Sequence, residues 1–301
     1  MTPPDTLRAE SFVFQGKIFP RISIDHFSID PMKCLFAFLA AIVSGGVNAI
    51  ASGGTLLTFP VLVQACGLDE RTAAATNTIG LVPAALMGAL HGSHGMSEPG
   101  SRRVSAWFFV VSVVGGGVGS LLLKYTSSER FKAIVPWLIL AAALIFLLHD
   151  TLTRLIFKPA PKTDVDKDAS VRLRTAPPPS SLLPLAIQFW VAVYGGYFGA
   201  GIGIMILATL SLMRVGGIYR LNYLKNYASF AINGVASVLF MIWRMIDWPI
   251  ALSMIAGALL GGFGGVKFAG KIGPRWTRRF VSIVGFGMAA WMIVRQFSAQ
   301  T

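Results

Sequence analysis

The chain has 301 residues, of which 54% are hydrophobic and only 13% charged, and its mean hydropathy is +0.65. A soluble domain carries about 25% charged residues, so this chain has too little polar surface to cover a soluble fold and reads as a polytopic membrane protein. Its 26 basic and 13 acidic residues, net +13, would suggest nucleic acid in a soluble protein. Here they lie mostly between apolar segments, which points to loops facing anionic lipid or drawing in an anionic solute.

Residues 1–32 form a polar N-terminal tail of mixed charge with no signal-peptide layout. Apolar segments follow at about 33–66, 72–91, 104–124 and 131–152, defining a first membrane unit over 33–152. Residues 153–181 hold "KPAPKTDVDKDASVRLRTAPPPSS", too polar to pack and closed to helix by Pro177-Pro178-Pro179, and read as a linker. A second unit, 182–297, repeats the pattern at about 182–215, 223–243, 247–267 and 278–297. Three segments of each unit match the ~20 residues that cross a bilayer. The first of each is far longer: as a single helix it would run roughly 50 Å against a core of about 30 Å. It must tilt, break or double back.

The two units look like a duplication. Gly45-Gly46 matches Gly195-Gly196, Gly53 matches Gly203, Asn77 pairs with Asn226 and Arg71 with Arg220. "GGGVG" (115–119) matches "GGFGG" (261–265), and "ERF" (129–131) matches "RRF" (278–280). Internal repeats are a common build of secondary transporters. The expected fold is therefore an all-α polytopic membrane protein with about eight transmembrane helices in two homologous repeats, the first segment of each broken at a glycine-rich stretch. Four crossings per half give repeats of one orientation, five give inverted ones. Counting four places the loops 67–71, 125–130, 216–222 and 268–277 on one face, with most of the basic residues. The positive-inside rule makes that face cytoplasmic and puts both termini and the linker outside.

The breaks are "GGVNAIASGGT" (45–55) and "YGGYFGAGIGI" (194–204). In lipid every backbone polar group needs a partner, and a broken helix frees N–H groups at the start of the following piece. Such a start is an anion site that needs no charged side chain. Two breaks could share one solute near the midplane; the competing reading is that the glycines only let helices pack closely. "GAGIG" is not a dinucleotide motif, since no strand precedes it and Tyr219-Arg220 stand where the acid belongs. Lys225 either snorkels to the interface or faces a cavity and pairs with an anion. Arg71 and Arg220 read as interfacial anchors, Asn233 as packing glue, and the later glycine clusters as tight helix contacts. His91 and His94 lack a third ligand and read as loop histidines. Cys34 and Cys66 read as buried free thiols. No Asp or Glu falls clearly inside an apolar segment, which argues against cation cargo. No triad or carboxylate pair is present, so no enzyme, cofactor or metal is expected.

At residues 41–90, "AIVSGGVNAIASGGTLLTFPVLVQACGLDERTAAATNTIGLVPAALMGAL" resembles the first repeat of the TauE/SafE sulfite-exporter family of bacterial membrane proteins. The glycine-rich break, "GGTLLTFPVL", the "TN" pair and a proline-containing helix carry the likeness. "GGYFGAGIGIMILATLSLM" with "NYLKN" (195–226) is similar to the second repeat. The resemblance covers about 33–297 and implies a multi-pass permease of the cell (inner) membrane. It implies small sulfur-containing or organosulfur anions as cargo, such as sulfite or sulfoacetate, moved by a secondary mechanism. Its partners would be a small anionic solute and the lipid bilayer, with no nucleic acid; a homo-oligomer is allowed. Carried over by position, the substrate-binding residues would be Asn48, Ser52, Gly53, Gly54, Thr55, Thr76, Asn77, Gly199, Gly201, Gly203, Lys225 and Asn226. Asn48, Ser52 and Thr55 face Phe198, Ile202 and Met205 in the other half, so the first half would supply most side-chain donors. The alternative is a membrane-embedded enzyme or accessory subunit of sulfur metabolism, for which Cys34 and Cys66 offer the only thiols.

Overall fold

Four helices start from a side-chain cap at one common end of the molecule. Asp30 accepts the N–H of Met32 (3.0 Å), Asp69 that of Thr72 (3.1 Å), Ser127 that of Arg130 (3.3 Å) and Asp247 that of Ile250 (3.2 Å). Each cap satisfies an orphan donor of a first turn. The computed structural model describes residues 30–51, 53–91, 101–156, 182–213, 218–272 and 274–298. The N-terminal tail, most of the linker, His94 and Ser52 lie outside them. The described residues form ten helices and no strand: α1 Pro31–Ala51, α2 Thr55–Gln64, α3 Glu70–His91, α4 Ser101–Tyr125, α5 Ser128–Ile156, α6 Leu182–Tyr197, α7 Ile202–Leu212, α8 Ile218–Ile242, α9 Trp248–Ile272 and α10 Pro274–Ser298.

The first segment of each half doubles back. Gly54 packs directly on Ser44, and the Cys66 thiol lies 3.4 Å from the Lys33 carbonyl at the start of α1. A straight helix would hold residues 44 and 54 about 15 Å apart, so α1 and α2 are the arms of a hairpin. In the second half, Gly195 sits beside Ile202, and the Tyr194 hydroxyl donates to the Ala200 carbonyl at 2.9 Å. That turn passes through Gly199 and Gly201, at φ +79° and +76°, a conformation that costs an L-residue ~1–2 kcal/mol and glycine nothing. With 10 and 11 residues, α2 and α7 reach only half the ~30 Å core. Eight longer helices remain.

Helix directions follow from the packing contacts. α1 runs alongside α9, with Phe38 on Gly257 and Ile42 on Gly261, and α9 runs alongside α3, with Met254 on Gly80. α4 runs alongside α6, with Gly115 on Ala192 and Gly119 on Val193, and alongside α8, with Gly116 on Ile232. α5 and α10 are antiparallel, with Ala143 on Gly285 and Phe146 near Val281. The Lys124 ammonium stands 4.6 Å from the centre of the Trp243 ring, which places the ends of α4 and α8 with the capped starts of α1, α3, α5 and α9. The helix neighbours of α1–α3 match those of α6–α8: α1 meets α9 as α6 meets α4, and α3 meets α9 as α8 meets α4. The sense is reversed between the halves. The loops 67–71 and 125–130 thus lie at one end, and the described parts of the other two stretches, the start of α8 and the end of α9, at the other. This corrects the shared face expected from four crossings: the hairpin adds a return pass that a single long span does not.

Large apolar side chains cover the outside, including Leu35, Leu39, Trp107, Val114, Trp190 and Ile283, each two-fifths exposed or more. In water such a surface would aggregate; it suits lipid. Four described helices are long and apolar enough to cross a membrane: parts of α1, α4, α5 and α10. α3 and α8 carry polar residues, of which Thr76, Asn77, Thr78, Lys225 and Ser237 are buried. Glycines knit the helices: Gly119, Gly196 and Gly261 each abut a neighbouring backbone so closely that no side chain fits.

Candidate functional site

α2 and α7 start differently from the capped helices. Their N-caps are Gly54 and Gly201, and neither makes a side-chain cap. At α2 the N–H groups of Leu56 and Leu57 turn back to the carbonyls of Gly53 and Gly54; at α7 those of Ile204 and Met205 turn back to Gly201. The residues just ahead of these bonds, Thr55 on α2 and Ile202 and Gly203 on α7, line one cavity. Two helix starts, the positive ends of their dipoles, therefore meet at one place.

The cavity measures about 30 Å³ and lies against the middle of α3 and α8. One water needs roughly 10–15 Å³, so in this arrangement the space holds two or three waters. Its walls are Asn48 and Thr55 from the first hairpin, Gly199, Ile202 and Gly203 from the second, Leu81 and Ala85 from α3, and Lys225, Asn226, Ser229 and Asn233 from α8. No carboxylate is among these described wall residues. Lys225 is 7% exposed, so of its two sequence readings the cavity-facing position holds. Snorkelling would leave its head in solvent.

Six of the twelve expected residues share this cavity: Asn48, Thr55, Gly199, Gly203, Lys225 and Asn226. Ser52 lies outside the described residues. The other five brace the walls. Gly53 and Gly201 pack on the Phe146 ring, and Gly54 on Ser44. Asn77 accepts a hydrogen bond from the Thr58 hydroxyl, which ties α2 to α3. Thr76 accepts the N–H of Asp247 at 3.0 Å. Asn77 and Asn226 thus correspond in sequence but do different work, because the second half has Leu207-Ala208 where the first has Thr58. Ser229 and Asn233 were not among the expected site residues. Their signal was spacing: with Asn226 they stand at i, i+3 and i+7 on one helix face. Arg71 donates to the Lys124 carbonyl at 2.8 Å, capping the end of α4.

The family model described as sulfite exporter TauE/SafE matches residues 37–292. The chain belongs to the sulfite exporter TauE/SafE family. Among its relatives, a probable membrane transporter protein of Haemophilus influenzae is 30% identical over 276 residues, covering 89% of this chain and 96% of the relative. The probable membrane transporter protein ORF9 of a Sinorhizobium species is 26% identical, covering 84% and 90%. The probable membrane transporter protein YfcA of Escherichia coli is 24% identical, covering 89% and 92%. No solved structure matches. The TauE/SafE match spans both hairpins and every cavity-lining residue. The chain is thus a membrane transporter, and its two cysteines stand apart from the cavity walls. Burial pushes the Cys66 thiol up to about 11, outweighing the opposing pull of Lys33. Such a thiol is a poor nucleophile at neutral pH.

Proposed function

We propose that the protein is a secondary permease for small anions, with sulfite or an organosulfonate as cargo, and that the cavity between the two hairpins is its binding site. The carrying observation is the convergence of two uncapped helix starts, Lys225, and the Asn48, Asn226 and Asn233 amides on one small cavity with no carboxylate among its described wall residues. Amide donors and one cation stabilise an anion where a cation would find no partner. Six of the twelve carried-over residues then contact solute, while Gly53, Gly54, Gly201 and Asn77 hold the hairpin turns and α2 against their neighbours.

The repeat and its inverted sense support transport by alternating movement of the two halves, since inverted repeats give a site two related exposures. We place the protein in the inner membrane, with the linker end in the cytoplasm. That end gathers Arg102, Arg103, Lys267, Lys271, Arg275 and Arg279 at helix termini, besides the basic residues of the linker. This reverses the linker placement expected from four crossings and puts both termini outside. The enzyme alternative loses support because Cys66 is buried and neither thiol is in the cavity. Flux of radiolabelled sulfite or sulfoacetate in proteoliposomes tests the reading. Flux should be present, and reduced by Thr55→Val and by Lys225→Ala; absent flux, or flux unchanged in both variants, refutes it.

A further inference from the structure

α8 carries more polar residues than the cavity uses. Asn222, Asn226, Ser229, Asn233 and Ser237 recur at i, i+4, i+7, i+11 and i+15, on one helix face. Asn222 is exposed near the start of α8, the next three line the cavity, and Ser237 is buried with an unpartnered hydroxyl. α3 is the counterpart of α8, yet its matching positions read Ala73, Asn77, Gly80 and Ala84, and Asn77 is bonded to Thr58. The polar face belongs to one half only.

The opposite direction is filled by rings. Phe198 at the turn of the second hairpin meets Phe59 of α2 at 5.2 Å edge to face, and Phe131 of α5 and Tyr194 of α6 at 6.4 Å each. Phe131 also meets Tyr197 at 5.4 Å, near the end where α5 begins. At the mirror-related site the matching positions hold Asn48 for Phe198, Thr209 for Phe59 and Ser44 for Tyr194, and Phe280, the match of Phe131, is 52% exposed. No equivalent plug can form there.

We propose that solute passes between the cavity and the end where α8 begins, along the Asn222–Asn226–Ser229–Asn233 face, while Phe59, Phe131 and Phe198 close the opposite way. The route rests on the permease reading for the existence of a solute; its direction rests on the polar face and the rings. A polar face across lipid is costly unless it lines water or protein, and a cluster of packed rings excludes water at the other side.

Thiol labelling tests it in the full chain carrying Cys34→Ala and Cys66→Ala. Asn222→Cys, Ser229→Cys and Asn233→Cys are each treated in sealed vesicles with a charged, membrane-impermeant thiol reagent from one side at a time. The side from which the exposed Asn222→Cys reacts marks the α8 end. Ser229→Cys and Asn233→Cys should react from that side and not from the other, and adding Phe198→Ala should open reaction from the second side. Reaction of Ser229→Cys equally from both sides with Phe198 intact, or from neither while Asn222→Cys reacts, overturns the route. Ser229→Cys changes only one atom, so it carries the test where Asn233→Cys fails to fold. Sulfoacetate serves as the protecting probe. Labelling that it does not slow counts against the anion reading and leaves the route standing, whereas one-sided labelling lost with flux retained sinks the route alone.

Discussion

Lys225→Met removes one positive charge from the candidate site and keeps most of the side chain's length. The structure sets the size of the effect. Lys225 is 7% exposed and lines the cavity. A charge-assisted hydrogen bond is worth about 1.5–3 kcal/mol, and two unit charges 4 Å apart at an effective dielectric of about 20 attract by about 4 kcal/mol, so anion affinity should fall about ten- to a thousandfold. Sulfoacetate-dependent thermal stabilisation of purified protein reads this directly, because ligand binding to the folded state raises the melting temperature. The expected result is a shift that saturates in the parent and needs a far higher concentration in Lys225→Met. Lys225→Arg keeps the charge in a wider head and should retain part of the binding. Equal affinity in Lys225→Met and the parent would refute the reasoning, since a buried cation at the site then does nothing for the anion.

Three further outcomes follow from individual contacts. Gly119→Ala places a methyl into the Val193 carbonyl and should cost about 1–3 kcal/mol by overpacking, whereas Gly117→Ala faces open space and should be near neutral; thermal unfolding in detergent compares them. Thr58→Val leaves the Asn77 carbonyl without its donor and should cost on the order of 0.6–1.7 kcal/mol, the range for hydrogen bonds between membrane helices; adding Asn77→Leu should recover part of it in a double-mutant cycle. Cys66, as the sole thiol in Cys34→Ala, has a pKa raised to about 11, so its alkylation should be slow at neutral pH and keep rising through pH 10; a rate that levels off near pH 8 would contradict its buried setting.

The fold was legible where one pattern repeated. "GGVNAIASGGT" and "YGGYFGAGIGI" marked both breaks because glycines and polar residues interrupt segments too long for one crossing. The reversal at each break was not legible, because it rests on Ser44 meeting Gly54 and Lys33 meeting Cys66, contacts between residues with no shared pattern. The face assignment failed with it, since one unseen return pass swaps the end of every later loop. Within the site, residue type pointed to Asn48, Thr55, Lys225 and Asn226 but could not separate Asn226 from Asn77. Their difference is made by Thr58, nineteen residues before Asn77 and on another helix. Asn233 read as packing glue because a lone mid-helix amide usually is; only the stripe through Asn222, Asn226 and Ser229 distinguishes it.

The scaffold and the site obey different symmetries, and that contrast bears on mechanism. Close backbone contacts recur at both helix pairs that join the halves: Gly261 on Ile42 between α9 and α1, Gly119 on Val193 between α4 and α6. Such contacts tolerate no added side chain, so they constrain both halves alike and keep each hairpin in register with its partner helix. Around the hairpin turns the halves diverge: Asn48 against Phe198, Thr58 against Ala208, Phe59 against Thr209. A scaffold with equivalent halves would rest equally in two mirror arrangements. Each of these replacements adds a bond or a ring contact to one side only, and a few such terms of about 1 kcal/mol suffice to leave one arrangement dominant. On the proposed route the ring cluster at Phe198 keeps the end where α1 begins closed. Asn48→Phe with Thr209→Phe would build the matching rings at the mirror-related site. It should move the one-sided reactivity of Ser229→Cys toward two-sided, and unchanged one-sided labelling in that variant would show that the bias lies outside these rings.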